Sequence, residues 1–392
     1  MQLPPSRFYL VALLLASGCS QLADSNQTPT PTDAVSVTIE AADISDVLLI
    51  TDADGNWQRV EAPGAQYSFV PATAAYGVAF ACAIGGESSY ATWYSKTRLQ
   101  TIDDDLPLVF DGCHGDIAYQ ALTVTAEGLE PNQELIRGYD ARFTADDPES
   151  FLMFFEEKEF MGVLWQQSPR QVLGFVRQPL PGPGNQLTVN AANFVPAVSF
   201  DVSLENLASP FSAGLDSILT EDASYYVLTS DATDGTITVP DDAFFSSGEL
   251  MAITVTSSTA EASGERIRRT INAPSPFTPT LPAPWRPSPP QFVTDGVQFS
   301  FTPKSDWNGT YVFELADAQN YAWEQSLAAS AKWAEATKQT SIMLTDFSPY
   351  APWFRRPKPS DALAWFSSAN ATTGTPNTAG FESATAYAYG GL

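Results

Sequence analysis

The sequence predicts an all-β protein made of several β-sandwich-like modules joined by linkers. Short apolar or alternating runs recur roughly every ten residues with turn residues between them, the signature of a sandwich or barrel. A proline-dense stretch, Pro274 to Pro290, interrupts that series, and at 392 residues the chain exceeds what one core usually organises. Two to four domains are therefore expected.

The first element is not a strand. Phe8 to Cys19 is a short apolar run behind Arg7 that closes on small residues and a cysteine, as a cleaved secretory signal does. It is too short to span a bilayer. Ala16-Ser17-Gly18-Cys19 resembles the lipobox of bacterial lipoproteins, with Ala16 where that motif usually carries a branched aliphatic residue. The resemblance covers only the first twenty residues. It implies that residues 1–18 are removed and that Cys19 becomes an acylated N-terminus, anchoring the chain in a membrane. Because Ser20, not Asp, follows the cysteine, the sorting rule of that family implies the outer membrane, facing either the periplasm or the cell exterior. Several acyl chains hold firmly where one holds marginally. Residues 19–34 then read as a tether: Ser, Thr, Asn and Pro dominate, with almost nothing apolar to bury.

Residues 35–116 form the expected N-terminal β module, with runs at Val35–Glu40, Asp46–Thr51, Trp57–Val60, Tyr67–Val70, Tyr76–Cys82, Tyr90–Tyr94 and Leu106–Phe110. Asp52, Asp54 and Asn56 lie between two of these runs. A hairpin tip explains them through tolerance of positive φ, and a calcium loop is the functional alternative because spaced carboxylates suit a hard cation. Apart from Cys19, the cysteines are Cys82 and Cys113. In an oxidising envelope they are expected to pair. The alternative adds His114 and Asp116 as metal ligands.

Residues 117–273 are the middle β region, one or two modules, with runs at Ile117–Thr125, Leu152–Phe155, Met161–Trp165, Val172–Val176, Val198–Leu204, Tyr225–Thr229, Thr236–Val239, Leu250–Thr256 and Arg266–Ile271. Ala252 to Thr256 alternates with period two, one face buried and one wet. Pro179 to Asn185 reads as a loop. Glu156, Glu157 and Glu159 around Lys158 are solvated charge, or a carboxylate pair for glycoside hydrolysis.

Residues 274–291 hold eight prolines in the seventeen positions from Pro274 to Pro290 and read as a semi-rigid spacer. Residues 292–392 form a C-terminal β module with five of the nine tryptophans: Trp307, Trp323, Trp333, Trp353 and Trp365. Their rings serve either as core or as a sugar-stacking surface. Phe292–Phe301 and Thr310–Leu315 read as strands. Tyr321–Lys338 fits a helical face in part, and the surrounding β pattern favours strands joined by a Ser/Ala turn.

The formal charge of −26 makes nucleic acid and anionic lipid surfaces poor partners. One histidine leaves no room for a multi-imidazole zinc site, and no phosphate-binding glycine loop is present, so no cofactor is expected. The layout resembles that of multi-domain envelope lipoproteins with immunoglobulin-like or fibronectin-like modules. That resemblance implies a non-catalytic envelope lipoprotein with a structural or protein-interaction role. Polysaccharide binding through the C-terminal aromatics is the alternative, and a carboxylate-dependent hydrolase the third reading.

Overall fold

A computed structural model describes residues 34–392 apart from 41–42, 44–45, 53–54, 62–63, 85–91, 105–107, 114–118, 139–140, 156–157, 183–185, 203–210, 220–224, 233–235, 260–261, 277, 305–306, 320–321 and 376–377. The lipobox-like Cys19 and its signal, Asp54, His114, Asp116, Glu156 and Glu157 lie outside the described residues.

The fold is all-β with several stacked sheets, as the run spacing predicts. The N-terminal strands are β1 (Val35–Glu40), β2 (Val47–Asp52), β3 (Gln58–Arg59), β4 (Gln66–Phe69), β5 (Ala75–Ile84), β6 (Thr92–Thr101) and β7 (Leu108–Asp111). The middle strands begin with β8 (Tyr119–Glu127), β9 (Gln133–Arg137), β10 (Ala141–Thr144), β11 (Glu149–Phe155), β12 (Glu159–Gln167), β13 (Arg170–Pro179) and β14 (Leu187–Asn190). They continue with β15 (Val195–Asp201), β16 (Phe211–Leu219), β17 (Tyr225–Ala232), β18 (Thr236–Pro240), β19 (Leu250–Thr259) and β20 (Ser263–Ile271). The C-terminal strands are β21 (Gln291–Val293), β22 (Gly296–Ser300), β23 (Thr310–Asp317), β24 (Trp323–Ser330), β25 (Ser341–Met343), β26 (Leu363–Thr373) and β27 (Glu382–Gly391), with the helix α1 (Ala331–Thr337) between β24 and β25.

One sheet takes four strands from each of the three regions. Its order is β17-β16-β19-β20-β27-β26-β23-β24-β6-β5-β2-β3, so the last region in sequence occupies the centre. The C-terminal strands meet the middle region where β27 pairs with β20, and the N-terminal region through the parallel β24–β6 ladder.

Smaller sheets cover parts of this platform. The sheet β4-β1-β7 packs on β2 and β5 through Val37, Ile39, Leu48, Val78, Phe80 and Phe110. The expected Cys82–Cys113 disulfide ties β5 to the chain beyond β7, with a Cα–Cα distance of 5.6 Å. In the middle region the six-stranded sheet β10-β9-β12-β13-β15-β18 is apolar on both faces. One face packs on β16 and β19 around Val163, Phe175, Leu215 and Ile253; the other packs on β11-β8-β14 around Leu122, Phe154 and Phe160. The C-terminal core lies between β21-β22-β25 and the centre of the large sheet, around Phe299, Tyr311, Phe313 and Leu327.

Strand β5 shows how composition sets these layers. In Ala-Tyr-Gly-Val-Ala-Phe-Ala-Cys-Ala-Ile, period-two alternation sends Tyr76, Val78, Phe80 and Cys82 under the N-terminal sheet. Ala79, Ala81 and Ala83 face the C-terminal core, where small side chains let its aromatic rings approach.

Two expectations need correction. Residues 321–338 are not strands joined by a turn: β24 ends at Ser330 and α1 follows directly. The Ser330 hydroxyl accepts from the Trp333 backbone N–H at 3.0 Å, alanines favour the helix, and Lys338 closes it in the left-handed region at φ 55°. Local capping outweighed the β surroundings. The proline-rich stretch is not a detached spacer either. Trp285 is buried in the C-terminal core, its Nε1 donating to the Thr302 carbonyl at 3.1 Å, and Arg286 pairs with Glu265 of β20 at 2.7 Å. The prolines keep the segment extended while one indole buries enough apolar area to hold it down.

Candidate functional site

The tryptophans expected as a binding surface are largely core. Trp323, Trp333 and Trp365 are buried, and Trp307 and Trp353 are half-buried against the same cluster. Trp323 stacks on Trp93 of β6, with ring centroids 5.1 Å apart and planes 4° from parallel. Of the calcium candidates, Asp52 closes β2 and its Oδ1 accepts the Ala72 backbone N–H at 2.9 Å. Gly55, at φ 78°, donates its backbone N–H to the Asp52 carbonyl, and Asn56 follows it. This is hairpin-tip geometry, with glycine supplying the positive φ. Glu159, the described member of the Glu156/Glu157/Glu159 group, accepts from Arg177, which also binds Glu249 at 2.6 Å. Two carboxylates converging on one guanidinium hold its proton more tightly, and the Arg177 pKa is raised accordingly. Glu134 is likewise buried between Arg142 and Arg170. These charges tie strands together.

Two other places stand out. The first is β11, Glu-Ser-Phe-Leu-Met-Phe-Phe, which is the edge of its three-stranded sheet. Leu152 and Phe154 point into the core, whereas Phe151 is 69% exposed and Met153 49% exposed. Thr123 and Ala121 lie directly opposite them on β8, and Thr188 pairs with Thr125 on the far side. An outward face of Phe, Met, Ala and Thr, with Glu149 at its end, therefore sits beside an open strand edge in a chain of charge −26. The sequence run Leu152–Phe155 marked the strand but not this surface. The available signal was the lack of alternation, since apolar residues on both faces demand two covering layers and β11 has one.

The second place is the face of the large sheet turned away from the C-terminal core. Strand register sets Lys96, Ser326, Glu314, Phe366 and Tyr389 side by side across β6, β24, β23, β26 and β27. Glu314 is 4% exposed, and its Oε1 accepts no hydrogen bond among the described residues. Burial pushes its carboxyl up to about 8, with Glu324 adding to the rise and Arg98 opposing it. Burial also raises Glu324, against the pull of Lys96. Toward the middle region, Tyr387 stacks on Phe366 at 6.2 Å and leans over Gly264 of β20, where a Cβ would meet the tyrosine oxygen at 2.7 Å. Sequence reasoning passed over Glu314 because one Glu inside an apolar strand looks like an outward-facing residue.

No family model matches the chain, and no curated protein matches it.

Proposed function

We propose that this chain is a lipid-anchored cell-envelope protein with a non-catalytic role, engaging a protein partner along the β11 edge. The observation that carries the interaction is the pair Phe151 and Met153, exposed on an edge strand opposite Thr123 and Ala121, with Glu149 the charged residue at the strand's start on that face. Exposed apolar patches mark interaction sites, and an open strand edge offers backbone hydrogen bonds to an added strand. The Phe8–Cys19 segment supports the anchor, and acylation of Cys19 would hold the β platform at the outer membrane through the 19–34 tether.

Recovery of the tagged protein from crosslinked cells tests this reading, with protein and glycan in the eluate quantified together. A dominant protein partner is expected with the native chain and lost with Phe151→Ser/Met153→Ser, at a stability cost of about 1–2 kcal/mol because both side chains keep part of their area against β8 and serine is a weaker strand former. Equal recovery from native and variant chains refutes the β11 site. Glycan enrichment without a protein would instead favour polysaccharide binding. Mass spectrometry of the N-terminal peptide tests the anchor: an acylated Cys19 is expected, and a free thiol there refutes it.

A further inference from the structure

We propose that the β11 edge takes an extended segment of a cationic partner protein as an added antiparallel strand, with apolar residues set against Phe151 and Met153 and Lys or Arg set against the acidic start of β11. The inference rests on β11 being the docking edge.

The ladder decides which backbone groups face outward. The Ala126 N–H donates to the Pro148 carbonyl at 2.7 Å, one step beyond the Thr125–Glu149 pair. Bonded and non-bonded pairs alternate along an antiparallel ladder, so Ser150, Leu152 and Phe154 direct their N–H and C=O groups to Val124, Leu122 and Gln120. The N–H and C=O of Phe151 and Met153 therefore point away from β8, to the side on which no described strand pairs with β11. These are the same two residues whose side chains are exposed. A strand added there meets a donor, an acceptor and an apolar side chain at each of the two positions.

Charge at the start of the strand selects the occupant. Glu149 shares the face of Phe151 and Met153, and Asp146 and Asp147 lie in the turn leading into it, where the Thr144 N–H donates to the Asp147 carbonyl at 3.0 Å. Glu127, which ends β8 beyond Ala126, brings a further carboxylate to this end, and all four side chains are exposed. Arg142 of β10, the nearest cation in sequence, is bound to Glu134. A second copy of the chain is a poor fit. Aligning Phe151 with Met153 of the copy in antiparallel register sets Phe155 of the copy opposite Glu149, where no cation is supplied, and brings together two chains of charge −26. Lys or Arg on a different partner meets the same carboxylates as an opposite charge, which favours that partner and fixes its direction along the edge.

The test uses the disulfide-intact chain and two fluorescein-labelled peptides, Thr-Val-Thr-Val-Thr-Lys-Thr-Lys and the same sequence with Glu at both Lys positions, followed by fluorescence anisotropy. The Lys peptide should bind about tenfold more tightly than the Glu peptide, with the gap narrowing as salt is raised. Equal affinities, or no binding of either peptide, overturn the proposal. Asp147→Asn/Glu149→Gln should close most of the gap, and an unchanged gap overturns the cationic occupant. Met153→Pro removes one outward N–H, leaves the bonds to β8 and changes no charge, a substitution compatible with an edge strand, and should weaken the Lys peptide about tenfold. Binding indifferent to Met153→Pro is attraction to the acidic surface at large and overturns strand addition. Should Met153→Pro fail to fold, N-methylation of alternate residues in the Lys peptide decides: one alternate set should abolish binding and the other preserve it, and equal tolerance of both overturns the proposal. A dimer of the native chain in sedimentation that Met153→Pro dissociates makes a second copy the occupant and likewise overturns it. Failure of the β11 reading itself is distinct, because it shows as equal recovery of the cellular partner from native and Phe151→Ser/Met153→Ser chains.

Discussion

Strands β5 and β23 run in the same large sheet, and both bury residues on both faces, yet they are buried by different means. On one side both line the C-terminal core, β5 with Ala79, Ala81 and Ala83 and β23 with Tyr311, Phe313 and Leu315. On its other side β5 carries Tyr76, Val78, Phe80 and Cys82 beneath the sheet β4-β1-β7. The corresponding face of β23 carries Val312, Glu314 and Ala316, beside Phe366 and Ser326 of the flanking strands. A second layer excludes water over a whole face and demands apolar residues. At Glu314 burial meets a carboxyl instead, and pushes it toward its protonated form.

The largest effect expected from this difference concerns the covered face. Phe80→Ala should cost about 3–5 kcal/mol in denaturant unfolding, while Val312→Ala on the other face should cost about 1–2 kcal/mol. Equal costs per methylene removed would break the comparison, because they would mean that both faces are equally dry. Next in size, replacing Cys82 and Cys113 by serine should destabilise by about 3–4 kcal/mol in the chain-entropy account, since the bridge closes 31 residues. The same variant sharpens the comparison if its pH profile keeps the native shape, because the disulfide fastens the covered face and does not touch Glu314. Smallest is Ser330→Ala, which removes the N-cap of α1 beside the end of β24 and should lower stability by about 1 kcal/mol. No change there would mean that helix packing through Trp333 alone sets the β24 boundary.

Much of the strand content was legible in the sequence. The runs at Val35–Glu40, Tyr76–Cys82, Thr236–Val239 and Leu250–Thr256 became β1, β5, β18 and β19 within a few residues. Strands β26 and β27 were not legible: Leu363–Thr373 and Glu382–Gly391 are rich in Ala, Ser and Gly, which have weaker strand preference, and their place at the centre of a sheet supplies the missing drive. The candidate surfaces were less visible still. Five tryptophans drew attention to the C-terminal region, but burial put three of them in the core. The exposed ring belonged to Phe151, in a strand that reads as buried, and the buried acid was Glu314, in a strand whose neighbours are apolar.

By itself the sequence determined the fold class, most strand positions and, with Cys19 set aside, the disulfide partners. Those properties follow from period-two geometry and from cysteine count, which need no knowledge of neighbours. Only the tertiary structure decided which strands lie side by side, and hence that the C-terminal region is the centre of a sheet shared with the other two. Backbone hydrogen bonds are chemically alike at every position, so a strand's sequence tells which face is buried long before it tells which strand will lie next to it.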